Sequence, residues 1–165
     1  MIKIIMCFFL CFLFSNSCYA GSGKAAVEKQ TDIDYEKCIN KLYFETDLFY
    51  EIVDTQVISR KEINKDKNAL KLSNTNSAGD SIFQAEESRS VTKDKAIFDL
   101  RMTQPISGNL KNQKTQIEVK NVQGKAKIIV KMEATVDHFF ASEKMVNREL
   151  KRNVDKVMSK IEEKQ

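Results

Sequence analysis

The sequence predicts an α+β fold: an N-terminal helix, an antiparallel meander of about 4–5 strands, and a C-terminal amphipathic helix packed on one sheet face. Three observations carry that expectation. Apolar residues recur at helical spacing from Tyr35, a tightly alternating hairpin surrounds Gln123-Gly124, and a single apolar arc runs along the last twenty or so residues.

The chain opens Met1-Ile2-Lys3 and continues without a charge from Ile4 to Phe14, followed by Ser15-Asn16-Ser17-Cys18-Tyr19-Ala20. A positive start, a short apolar core and small residues at a cut site form the layout of a secretory signal peptide. The apolar run is well short of the roughly 20 residues that span a bilayer. Cleavage after Ala20 is the favoured cut, and cleavage after Ser17 is also readable. A lipoprotein cut at Cys18 is disfavoured, because Ser15 stands where an apolar residue is expected. The predicted organisation is therefore a signal peptide over 1–20, a flexible leader over 21–32 and one α+β domain over 33–165.

Helix is expected from about Ile33 to Asp47, with Tyr35, Cys38, Ile39 and Leu42 on one face. The β-branched stretch Ile52–Ile58 suggests a strand soon after. Lys61–Lys67 reads as a charged connector, Asn68–Leu72 as a short strand, and Ser73–Asp80 as a loop dense in turn-forming residues. Ser81–Glu87 is a weaker strand candidate. Ala96–Thr103 is a better one, alternating Ala96, Phe98, Leu100 and Met102 against Asp99, Arg101 and Thr103. Thr115–Val122 and Lys125–Val136 flank the two-residue turn. If Val122 pairs with Lys125, then Val119 faces Ile128, Ile117 faces Val130 and Thr115 faces Met132. The inward row then continues through Ala134 and Val136, with Ile129 the one apolar residue facing outward. The closing helix runs to Glu163, with Ser142 as its N-cap and Glu143 in its first turn.

Composition narrows the function classes. Charged residues are 30% of the chain and mean hydropathy is −0.41, which excludes a polytopic membrane protein. A net charge of +4 is too small for a dedicated nucleic-acid binder. Of four cysteines, three fall in the signal region, so Cys38 stands alone in the domain and is expected to be buried. There is one His and no calcium-loop pattern, so no metal or other cofactor is expected. Cys38 has no second His to activate it, and no serine elbow is present. In a strand, Glu86 and Glu87 point in opposite directions and cannot form a close acid–base pair. His138, beside Asp137, reads as a boundary residue.

Two features have functional content. Lys144, Arg148, Arg152, Lys156 and Lys160 recur every four residues along the last helix, a candidate surface for anionic partners such as an anionic membrane. Glu149 and Asp155 lie close enough to offset much of it, so a solvated face is the favoured interpretation. Second, a sheet under two helices can open a groove between layers that Phe139-Phe140 could line at its mouth, although ordinary core packing is the favoured interpretation. The absence of any Asn-x-Ser/Thr sequon and the Lys-, Ile- and Asn-rich usage point toward a bacterial source. Together these predict a non-enzymatic bacterial protein, exported to the periplasm or envelope. It would act through protein–protein interaction, as an accessory of a larger envelope or secretion assembly. The second reading is a periplasmic carrier or sensor of a small apolar ligand or lipid.

Overall fold

The computed structural model describes residues 20–44, 47, 50–51, 53–76, 79–138 and 141–163. The signal region with Cys18, and the Phe139-Phe140 pair, lie outside them. Strand β1 (Ala20–Asp34) leads into helix α1 (Tyr35–Phe44), followed by β2 (Thr55–Asn64), β3 (Lys67–Asn76), β4 (Gly79–Val91), β5 (Lys95–Ser107), β6 (Leu110–Val122), β7 (Lys125–Asp137) and helix α2 (Glu143–Glu163). All seven strands join one antiparallel sheet in the order β1-β7-β6-β5-β4-β3-β2. Residues Tyr35–Phe44 thus lie between the strands of its two edges. Register shifts in four of the six strand pairs mark bulges, which bend strands locally.

The expected class is correct, but the sheet has seven strands where 4–5 were expected. Gly21–Thr31, expected as a flexible leader, is most of β1 and pairs with β7 from Ala20↔Asp137 onward. It carries no strong apolar alternation because its inward row is small: Gly21, Gly23, Ala25 and Val27. Those residues leave room for α2, and the strand is held by its ladder and by the helix above it. Lys61–Lys67, expected as a connector, is the tip of the β2–β3 hairpin, with Asn64 paired to Lys67. Its charge suits an edge, where lysines discourage pairing with another chain. The stretch 73–80, expected as a loop, is likewise strand to Asn76 and again from Gly79, which pair with each other.

The β6–β7 register is the one expected: Val122↔Lys125, Val119↔Ile128, Ile117↔Val130 and Thr115↔Met132. Gln123 (φ 54°) and Gly124 (φ 83°) are both left-handed, as a type I′ turn requires, and only glycine takes that conformation without strain. Asn121 Oδ1 accepts the Gly124 N–H at 2.8 Å.

Core packing follows the two periodicities. α1 buries Tyr35, Cys38, Ile39 and Leu42, and α2 buries Val146, Leu150, Val154, Val157, Met158 and Ile161, against one face of the sheet. Asp34 caps α1, its Oδ1 accepting the N–H groups of Glu36 and Lys37. Ser142 caps α2 by accepting the Met145 N–H at 3.3 Å. Cys38 is buried in this core, and burial pushes its thiol up to about 11. On the outer sheet face Ile129 is covered beside Glu118, whose carboxylate meets Lys95 at 2.8 Å, Lys120 at 3.5 Å and Lys131 at 3.6 Å. Lysine stems can cover apolar surface while their ammonium groups reach the carboxylate.

Candidate ligand cavity between the last helix and the sheet

The first turns of α2 are held against β1 by close backbone approach. A Cβ on Gly23 would lie 2.6 Å from Asn147 Oδ1 and 2.8 Å from Val146 Cγ1, so only glycine fits there. Asn147 Oδ1 in turn accepts the Lys24 N–H at 2.8 Å. Packed over the β1 edge, the first half of α2 also forms one wall of a cavity whose other wall comes from β6, β7, the end of β3 and the residues Val53 and Asp54 just before β2.

The main volume, about 180 Å³, lies between Leu150, Val146 and Met145 of the helix and Met132, Ala134 and Val136 of β7. Val53, Leu110, His138 and Ala141 complete its apolar and mixed sides. A smaller volume of about 40 Å³ continues beneath it toward Phe98, Leu100, Ile117 and Val157. Val53, Gln113 and Met132 line both, so the two adjoin. For scale, an engineered apolar cavity of about 150 Å³ is large enough to hold benzene.

Polar groups enter this wall at defined points. Gln113 of β6 and Asn153 of α2 each put a buried amide oxygen, Oε1 and Oδ1, at the lining with no hydrogen-bond partner. Such groups are normally satisfied, and an unpartnered one carries a desolvation cost. By contrast Asn74 is tied down, its Nδ2 donating to the Val53 carbonyl at 3.0 Å and to Thr55 Oγ1 at 2.8 Å. At the lower end, buried Glu87 meets Arg89 at 3.2 Å, Arg60 at 3.7 Å and Asn68 Nδ2 at 3.1 Å. Tyr50 is buried beside it; burial first, then the Glu87 charge, raises the phenol well above its ordinary range. Glu86, its neighbour, points the other way and pairs with Lys67 at 2.9 Å.

The basic ladder divides. Arg148 and Arg152 border the open mouth above the cavity, together with Asp54, Thr75, Asn76, Met145 and Glu149. Arg152 pairs with Glu149 on its own helix. Lys144, Lys156 and Lys160 do not line the mouth or the cavity among the described residues. His138 sits on the cavity wall, half-buried, where β7 ends. Cys38 lines none of these volumes. Among the described residues no helix is long and apolar enough to cross a membrane.

The sequence allows a groove between the layers but does not single out its polar residues. Gln113 extends the inward row of β6 by one step before Thr115, and this period-two position was the signal that could have found it. Asn153 sits at the margin of the apolar arc of α2, where a polar residue reads as ordinary boundary.

No family model matches the chain, and no curated protein matches it in sequence. Solved structures match its fold. A STAR-related lipid transfer protein from Xanthomonas axonopodis superposes with a TM-score of 0.62 at 9% identity, covering 84% of this chain and 82% of that one. A START superfamily protein from Mycobacterium smegmatis gives 0.56 at 8% identity, over 86% of this chain and 99% of that one. An aromatase/cyclase from Streptomyces gives 0.56 at 5% identity, over 87% and 94%. The fold is START-like: a seven-stranded antiparallel sheet with a short first helix and a long last one.

Proposed function

We propose that this chain is a carrier or sensor of a small apolar ligand, held between α2 and the inner face of the sheet. The observation that carries the reading is the cavity of about 180 Å³, walled by Leu150, Val146, Met132, Ala134 and Val136. A largely apolar pocket with a few polar groups is the common form of a small-molecule site. The structural likeness to lipid transfer and START superfamily proteins supports this reading ahead of the envelope-assembly one. The reading is non-catalytic. Gln113 and Asn153, which place unpartnered buried oxygens at the lining, are amides, which orient a ligand without exchanging protons at neutral pH.

The proposed setting is the periplasm or envelope, supported by the signal-like run from Ile4 to Phe14. There a soluble carrier would shield apolar surface from water, a gain of about 25 cal/mol for each Å² covered. Native mass spectrometry of the protein purified from its own cell, without detergent, tests the proposal. The expected spectrum contains a bound small molecule, one per chain, released into organic solvent. A ligand-free protein that also takes up no apolar compound on titration would overturn it.

A further inference from the structure

We infer that the cavity selects apolar ligands that bear a neutral hydroxyl group, taken by Gln113 and Asn153; this rests on the carrier reading above. The argument begins with the two orphaned acceptors. Gln113 Oε1 and Asn153 Oδ1 come from opposite walls, one from the sheet and one from the helix, and both are buried at the cavity lining without a partner. A buried acceptor left unsatisfied is unfavourable, and a ligand donor reaching it would remove that cost. A hydroxyl suits such a pair because it donates once and also accepts, while each carboxamide can offer either its oxygen or its NH₂ group.

The charges around the cavity argue against an anionic group inside it. No Lys or Arg is among the described residues that line the two inner volumes, whereas Asp54, Glu149, Glu87 and Asp99 are. Arg148 and Arg152 stand only at the mouth. A carboxylate placed between two amide oxygens and these acidic residues would be desolvated without a counter-charge. The ligand's polar group inside the cavity is therefore not an anion, and its remainder is hydrocarbon facing Met132, Ala134, Val136 and Leu150.

Three bicyclic probes that differ in one substituent test this: 2-naphthol, 2-methylnaphthalene and 2-naphthoate, each titrated into the full folded protein by calorimetry. The expected result is binding of 2-naphthol about tenfold or more tighter than either of the others. In Gln113→Met and Asn153→Leu, which keep shape and remove the amide, 2-naphthol should fall to the level of 2-methylnaphthalene. Both variants remove an unsatisfied acceptor and are expected to fold at least as well as the parent. Equal binding of 2-naphthol and 2-methylnaphthalene by the unaltered protein would overturn the hydroxyl selection and leave the carrier reading standing. Tighter binding of 2-naphthoate would overturn it in favour of an anionic ligand. If none of the three binds, the carrier reading falls, and this inference falls with it.

Discussion

The side-chain oxygen of Asn147 accepts the backbone N–H of Lys24 at 2.8 Å, joining the second turn of the last helix to the first strand. That bond exists because Gly23 has no side chain: a Cβ there would lie 2.6 Å from the same oxygen. The helix is thereby held along the β1 edge, and the cavity lies between its other flank and strands β6 and β7.

Gly23→Val should therefore push the start of α2 off β1. Overpacking of this kind typically costs about 1–3 kcal/mol. The expected outcome is a lower midpoint in chemical denaturation, with faster exchange of the first α2 amides in hydrogen-exchange measurements. An unchanged midpoint would mean that the helix does not depend on this close approach.

Gln123 sits at φ 54° in the β6–β7 turn, a conformation that asparagine and glycine tolerate far better. Gln123→Asn should stabilise the protein by about 0.5–1 kcal/mol, since the turn geometry is kept and the strain reduced. Thermal unfolding followed by circular dichroism reads this as a higher Tm. A lower Tm would show that the glutamine contributes through another contact.

Glu118 supplies a pH dependence. The hydrogen bond from Lys95, with Lys120 close by, holds its carboxyl below the ordinary carboxylate range. A group with a depressed folded pKa contributes stability above its unfolded pKa and loses it as pH falls through the folded value. Its contribution is thus complete above the unfolded value, near 4.5, and fades as the medium becomes more acidic. Glu118→Gln should be less stable than the parent at pH 7, and the gap should narrow on acidification to about pH 3. Urea unfolding at the two pH values checks it, and a gap that widens in acid would contradict the sign.

How far the fold was legible varies with what each residue must do. Ile117, Val119, Ile128 and Val130 are fully or nearly fully buried, and their alternation fixed the register, because a one-residue slip would turn them to water. β1 was illegible for the opposite reason. Its inward residues are small so that α2 can approach, and Gly21, Gly23 and Ala25 carry little β signal of their own. The start of β2 was legible in the β-branched stretch Ile52–Ile58, but its outer part was hidden by its edge position, with Ile58 and Ile63 exposed among charges. The site residues escaped notice because a cavity arises from the spacing of two layers. Gln113 and Asn153 acquire meaning only once α2 is set over β6 and β7. The carboxylate of Glu87 illustrates the same point: alternation says that it faces inward, but only the fold brings Arg60, Arg89 and Tyr50 to it.

The central claim is that an apolar ligand occupies the space under α2, and methionine methyl groups report on it directly. Met132 and Met145 line the cavity, whereas Met102 and Met158 line none of the described volumes. With ¹³C-methyl methionine labelling, 2-naphthol titrated into the protein should shift the Met132 and Met145 methyl signals. The shifts should saturate at one probe per chain, with Met102 and Met158 nearly still. Unmoved signals, or uniform shifts across all four methyls without saturation, would contradict a ligand site at this position.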